Sequence, residues 1–148
     1  MLSTVEKVLF LKSVDLFSQI SGEDLNQVAG IAQEVNFEQD ELIFQEGEMG
    51  DTLYLIVDGS VVIHRQTKEI ARLREKEAFG EMAILDNEPR SASVTALTDV
   101  ACLKIERQDF YELMFEKVEI AYGIIRVLTS RLREANRELS ALLKTHNL

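Results

Sequence analysis

The chain has 148 residues, 46% of them hydrophobic, which is enough for one domain with its own core and too many for a disordered segment. A formal net charge of −10 excludes broad contact with nucleic-acid phosphates, which needs a basic face, and no apolar run approaches the ~20 residues that span a bilayer. Cys102 is the single cysteine, so no intrachain disulfide can form, and MLSTVEKVLF lacks the basic start and cleavage site of a secretory leader; a cytoplasmic protein without membrane insertion is expected.

Leu2, Val5, Val8, Leu9 and Lys12 fall at helical spacing and predict a short amphipathic helix over residues 3–12. Ser21 and Asp24 have the spacing of a capping box, which predicts a second helix over 22–31. The N-terminal helices thus occupy 3–31. From residue 35 the pattern turns to short β-favourable runs, ELIF, TLYLIV, SVVIHR and EIARL, separated by polar and Gly-bearing turns. Asp58-Gly59 between two apolar runs predicts a hairpin. SASVTAL and ACLKIE supply two further strands, and strands at this spacing suggest a small barrel or sandwich over 33–105.

The C-terminal block, 107–144, is helical again, with RQDFYELMFEKV followed by the longer EIAYGIIRVLTSRLREANRELSALLK. Ala121, Ile125, Leu128, Leu132, Ala135, Leu139 and Leu142 form a heptad seam in the second helix. It either packs on the chain's own strands or pairs with a second copy as a homodimer; the two alanines and Gly123 weaken it. No repeat or linker divides the chain, so residues 1–148 form a single domain.

Between the strand runs lies FGEMAILDNEPRSASV, residues 79–94. Gly80 permits a tight or positive-φ backbone. Glu81 to Leu85 can form one helical turn, whose first amides lack internal partners and attract an anion. Pro89 stiffens the approach to Arg90, a forked cation suited to two phosphate oxygens. Ser91 adds a hydroxyl, and Ala92 lets backbone come close. Glu81 would repel phosphate, so its partner is a donor such as a sugar hydroxyl. The combination asks for a ligand carrying a phosphate beside a ribose.

The segment resembles the phosphate-binding cassette of cyclic nucleotide-binding domains, a family that includes regulatory subunits of cAMP-dependent protein kinase and the bacterial catabolite activator. The family pattern runs close to F-G-E-x-A-L and then R-x-A-[ST]-[VI]; here stand Phe79, Gly80, Glu81, Ala83, Arg90, Ala92, Ser93 and Val94, with Ile84 for leucine. LFSQISGEDLNQVA and IFQEGEMGDTLYLIVDGSV also resemble the family, and the likeness covers roughly residues 12–136. It implies a double-stranded β-helix, a jelly-roll-like barrel, with N-terminal helices and a C-terminal helical lid. It implies that Arg90 pairs with a cyclic phosphate and Glu81 accepts from the ribose 2′-hydroxyl. The amides of Gly80, Ala83 and Ala92, with the Ser91 hydroxyl, would complete the phosphate seat. The residue after the arginine influences base choice, alanine going with cAMP and threonine often with cGMP. Ser91 fits either, and cAMP is the expectation because the catabolite activator has serine there. Arg131, Ala135 and Asn136 on the lid helix would lie near the base. One departure is LREKEAFGE, with Arg74 to Glu77 where the family has glycines. A positive φ there would cost ~1 kcal/mol or more, so a different turn is expected.

Plainer readings stand beside these. Arg90 and Glu81 alone would read as a surface salt bridge, Ser91 as a turn hydroxyl and Asn136 as a solvated helix residue. Gly47, Gly50 and Gly59 read as backbone-conformation residues, His64 as a surface or core histidine, His146 as part of a tail and Cys102 as a small packed residue. A cupin-type enzyme would need several histidines with a carboxylate around a metal, and the two histidines are far apart in the chain. No triad, Walker loop or metal-spaced cysteine group is visible, so neither catalysis, metal nor cofactor is expected. The expectation is a cyclic-nucleotide sensor that relays occupancy through its terminal helices to an unknown effector. A degenerate domain acting only in assembly is the alternative. A DNA-binding helix-turn-helix would have to follow the long helix, and none is expected before Leu148.

Overall fold

The computed structural model describes residues 1–146, with backbone alone at residues 82–84, 145 and 146, so the side chains of Ala83 and His146 lie outside the described residues. Ser3 starts α1 (Thr4–Ser13) with a reciprocal capping box: its hydroxyl accepts from Glu6 N, and Glu6 accepts from Ser3 N. The helix forms where the spacing predicts, and Leu2 and Val8 of the predicted stripe pack against the core, but the stripe is not inward throughout. Leu11 is fully buried, whereas Val5 and Leu9 are each 68% exposed. Apolarity alone selects the stripe through Val5 and Leu9; the 3-10 turn Asp15–Phe17 and α2 (Gly22–Ile31) decide which side is covered. α2 begins as expected, with the Ser21 hydroxyl accepting from Asp24 N.

Eight strands follow: β1 (Ala32–Phe37), β2 (Leu42–Phe44), β3 (Thr52–Asp58), β4 (Val61–Arg65), β5 (Lys68–Leu73), β6 (Ala78–Phe79), β7 (Ser93–Ala96) and β8 (Val100–Glu106). All six predicted runs are strands. The sequence reading misses β1, which leaves α2 without a break, and β6, which has only two residues. They form two four-stranded antiparallel sheets, ordered β1-β8-β3-β6 and β2-β7-β4-β5. The pairs β1·β8, β2·β7, β3·β6 and β4·β5 trace one long two-stranded ribbon whose windings alternate between sheets. That is the jelly-roll winding. No closed barrel forms among the described residues: the sheets are separate, so the architecture is a sandwich.

The ribbon corrects the hairpin expectation. β3 and β4 lie in different sheets, so Asp58-Gly59 is a crossing point. Gly59 has φ 95°, and a Cβ there would overlap the Asp99 carbonyl and approach Thr98 Oγ1 to 2.9 Å. The hairpin is instead β4–β5, turning at Gln66-Thr67, with Arg65 opposite Lys68. Between the sheets pack Ile56, Val61, Phe79, Val94, Ala96, Val100 and Cys102. The other face of the first sheet, Leu53, Leu55, Leu103 and Ile105, carries the helices through Phe17, Leu25, Phe110 and Ile120. Burial on both faces explains why TLYLIV reads as a nearly continuous apolar run.

α4 (Arg107–Glu116) and α5 (Val118–His146) close the fold. α5 buries Ile120, Ile124 and Val127, and its described residues from Leu128 to Lys144 are exposed. The heptad seam therefore does not pack on the chain's own strands beyond the first turns: Ile125, Leu132, Leu139 and Leu142 face solvent. Gly123 lets α5 pack tightly on the body, since a Cβ there would sit 2.7 Å from Ile20 Cγ1 and 3.2 Å from the Gln19 carbonyl.

Candidate functional site

The segment 79–94 leaves the first sheet at β6 and enters the second at β7, so it lies where the two sheets part. Gly80 has φ 82° and stands directly before the short α3 (Glu81–Asp86); a Cβ on it would come within 2.5 Å of Arg90 Nη1 and 2.7 Å of the Thr52 carbonyl. Glycine is required here by both conformation and space. Asn87, at φ 60°, turns the chain out of α3 toward Pro89. Arg90 is then clamped to the β2–β3 loop, its amide donating to the Glu48 carbonyl at 2.8 Å and its carbonyl accepting from Gly47 N at 2.9 Å.

The Arg90 guanidinium is buried, with the residue only 7% exposed. Nη2 donates to the Thr52 carbonyl at 2.9 Å and Nη1 to the Gly80 carbonyl at 3.3 Å. The group lies over the Phe44 ring, 4.0 Å from its centroid. Gly50 flanks it so closely that a Cβ there would overlap the guanidinium. Gly50 is thus a contact residue, not merely a conformational one as the sequence suggests. Burial lowers the Arg90 pKa, opposed by Tyr54, Asp51 and Glu48; the group stays cationic at neutral pH. Nε is buried with no hydrogen-bond partner among the described residues. A buried, unsatisfied donor costs about 1–3 kcal/mol, so the fold does not place it there for its own stability.

Gly80, Glu81, Arg90, Ser91 and Ala92 line one cavity of about 370 Å³, with Phe44, Ile63, Phe79 and Val94 as apolar walls and Asp86, Glu88 and Pro89 at the rim. Its size lies within the range of small-ligand pockets. Ser91 is exposed, its carbonyl accepting from Arg65 Nε at 3.0 Å, and Ala92 is buried. A cation, a carboxylate and an apolar wall converge here, which suits a ligand with an anionic group, a hydroxyl and a flat face. Ala83 lies in α3 but its side chain is outside the described residues. The three residues predicted on α5, Arg131, Ala135 and Asn136, do not line this cavity. Arg131 forms ion pairs with Asp15, at 3.0 Å, and with Glu81, at 3.1 Å. Asn136 is exposed, five residues further along the helix than Arg131.

Sequence reasoning misses Phe44, Gly50 and Thr52, which seat the guanidinium, and Asp15, which shares Arg131. All are at least 38 residues from the side chain they support, and no local spacing reveals them. Lys76 also corrects the sequence reading. The turn before the cassette keeps a positive φ, 73°, with a lysine in place of glycine. Lys76 N donates to the Ile56 carbonyl, and Ile56 N to that of Glu77, so strand β3 holds the turn in that shape. Among the described residues no group of three or more His, Cys, Asp or Glu could hold a metal, and no helix is long and apolar enough to cross a membrane. His64 is satisfied by the Gln66 carbonyl and the Thr95 hydroxyl. Cys102 packs between the sheets, where burial pushes its thiol up to about 12.

An antiparallel sandwich with an apolar-walled pocket, lined by one buried arginine and a carboxylate where its sheets part, defines a small-ligand-binding module. The chain belongs to the cyclic nucleotide-binding domain family, whose model matches residues 34–117. It is 34% identical over 137 residues to the Cyclic AMP receptor protein of Thermus thermophilus, covering 89% of this chain and 63% of that protein. It is 36% identical over 98 residues to a cGMP-dependent protein kinase of Eimeria tenella, covering 66% of this chain and 10% of the kinase. The N-terminal domain of a transcriptional regulator from Streptomyces coelicolor superposes with a TM-score of 0.81 at 29% identity, over 88% of this chain and 94% of that one. The chain thus spans less than two thirds of the length of the curated relatives it matches.

Proposed function

We propose that the chain is a regulatory sensor that binds cAMP in preference to cGMP and passes occupancy to an effector through its terminal helices. The buried Arg90 guanidinium carries this reading: it lines the cavity beside Glu81 and has an unpartnered Nε. In this reading Arg90 pairs with the cyclic phosphate and Glu81 accepts from the ribose 2′-hydroxyl. The amides of Gly80, Ala83 and Ala92 and the Ser91 hydroxyl complete the seat. Phe44, Ile63 and Val94 offer apolar surface. For Asn136 to read a base edge, α5 must move over the cavity, and that movement is the proposed relay. The cAMP preference is supported by the relative of wider coverage, a cyclic AMP receptor. The match to a cGMP-dependent kinase and the hydroxyl of Ser91 leave cGMP as a weaker ligand. Catalysis is no part of this reading.

The same proposal includes a homodimer through α5, supported by its solvent-facing apolar stripe from Ile125 to Leu142. The test of the site is calorimetric titration with cAMP of the wild type and Arg90→Ala. Removing a charge-assisted contact to phosphate should cost ~1.5–3 kcal/mol, about ten- to hundredfold in affinity. An unchanged affinity removes Arg90 from the site, and a wild type that binds neither nucleotide leaves the assembly role in its place.

A further inference from the structure

We propose that Asp15, in the N-terminal 3-10 turn, sets the affinity of the nucleotide site by holding Arg131 on Glu81. This rests on the reading of Glu81 as acceptor for a ribose hydroxyl. Arg131 Nε and Nη2 both donate to Asp15 Oδ2, at 3.1 and 3.0 Å, while Nη1 donates to Glu81 Oε1 at 3.1 Å. Two donors are fixed by Asp15, and this fixes the plane in which the third reaches the cassette. One guanidinium on α5 thus joins two elements that lie far apart in sequence.

Glu81 belongs both to this clamp and to the cavity wall. A carboxylate already bonded to a guanidinium is a weaker acceptor for a hydroxyl, although Arg131 engages Oε1 alone. Nucleotide and Arg131 therefore compete for the same group. The clamp is weak enough to yield: the side chains of Arg131, Asp15 and Glu81 are 41%, 71% and 28% exposed, where ion pairs are screened by water and salt. α5 beyond Val127 has no buried side chain among the described residues, so freeing Arg131 loosens that part of the helix. Ser18, Arg126, Ser130 and Glu134 line an open cleft of about 480 Å³ between the turn and α5, which gives the helix room to shift. Asp15 strengthens the clamp and so opposes the ligand without touching it.

The test is titration with cAMP of the wild type, Asp15→Asn and Arg131→Gln. Both variants should bind about two- to fivefold more tightly, the range an exposed ion pair supports. The difference from wild type should shrink at about 1 M salt, where the screening length falls to ~3 Å. Without nucleotide, amides around Ser130 to Glu134 should exchange hydrogen faster in both variants than in wild type. Weaker binding by Arg131→Gln would make Arg131 a direct ligand contact and overturn the competition. Binding by Asp15→Asn that is unchanged or weaker overturns it as well. A wild type that binds neither cAMP nor cGMP overturns the nucleotide reading and this proposal together, whereas a wild type that binds, with Asp15→Asn no tighter, overturns this proposal alone.

Discussion

At the scale of single residues, the site depends on what is missing as much as on what is present. Arg90 lies over the Phe44 ring because Gly50 has no side chain to displace it. Gly50→Ala should push the guanidinium out of its seat and weaken cAMP binding about tenfold, roughly 1.4 kcal/mol. Because the damage acts through Arg90, a double-mutant cycle of Gly50→Ala with Arg90→Ala should be strongly non-additive, and simple additivity would show that Gly50 matters for another reason. Lys76 shows the opposite case, a side chain where the backbone prefers none. Relief of its left-handed conformation is worth ~1 kcal/mol, partly offset by a freer unfolded chain, so Lys76→Gly should raise stability by less than about 1 kcal/mol. Lys76→Val should lower it, because a β-branched residue fits that region worse; chemical denaturation of the pair checks the order. Cys102 gives a pH prediction. Its folded thiol titrates near 12 against an ordinary 9.0, so the proton is held more tightly in the folded state. Its contribution is intact below pH 9 and is lost as pH rises toward 12, at about 1.4 kcal/mol per pH unit. Cys102→Ala should flatten that part of the stability profile, and thiol reagents at neutral pH should react only with unfolded chain.

At the scale of elements, local signals predict existence better than orientation. Capping by Ser21 and the helical spacing of residues 3–12 place α1 and α2 almost to the residue, yet Val5 and Leu9, which that spacing turns inward with Leu2 and Val8, are exposed. Asp58-Gly59 is a turn, as the dipeptide suggests, but it sends the chain into the opposite sheet. Gly123 is legible only as a weak spot in a helix until the packing is seen. Gly123→Ala should raise the helicity of an isolated α5 peptide by ~1 kcal/mol of propensity. In the protein, overpacking against Ile20 and the Gln19 carbonyl costs ~1–3 kcal/mol and outweighs that gain. A lower melting temperature for the protein together with a more helical peptide is the expected pair of results.

At the scale of the whole molecule, the long apolar stripe of α5 has no partner within the described chain. Leu132 and Leu139 lie mid-seam and are 61% and 54% exposed. Three heptads with two alanines make a marginal coiled coil by themselves, so the sandwich must contribute to any pairing. Leu132→Glu with Leu139→Glu should convert a dimer to monomer in sedimentation. If cAMP strengthens dimerisation, dimerisation strengthens cAMP binding by the same factor, so the double variant should also bind cAMP more weakly. A wild type that sediments as a monomer with and without cAMP would end the idea.

The amino-acid sequence by itself determines the strand runs, the two capped helices and the cassette from Gly80 to Ala92. Each depends on residues a few positions apart, whose steric limits and hydrogen bonds act before any distant contact forms. Only the tertiary structure decides the rest: the alternation of strands between two sheets, the covered side of α1, the seat of Phe44, Gly50 and Thr52 around Arg90, and the clamp of Arg131 between Asp15 and Glu81. Those depend on burial and charge pairing between separate elements, up to 116 residues apart for Arg131 and Asp15, and many such pairings are compatible with the same local patterns until the ribbon winds and leaves room for one.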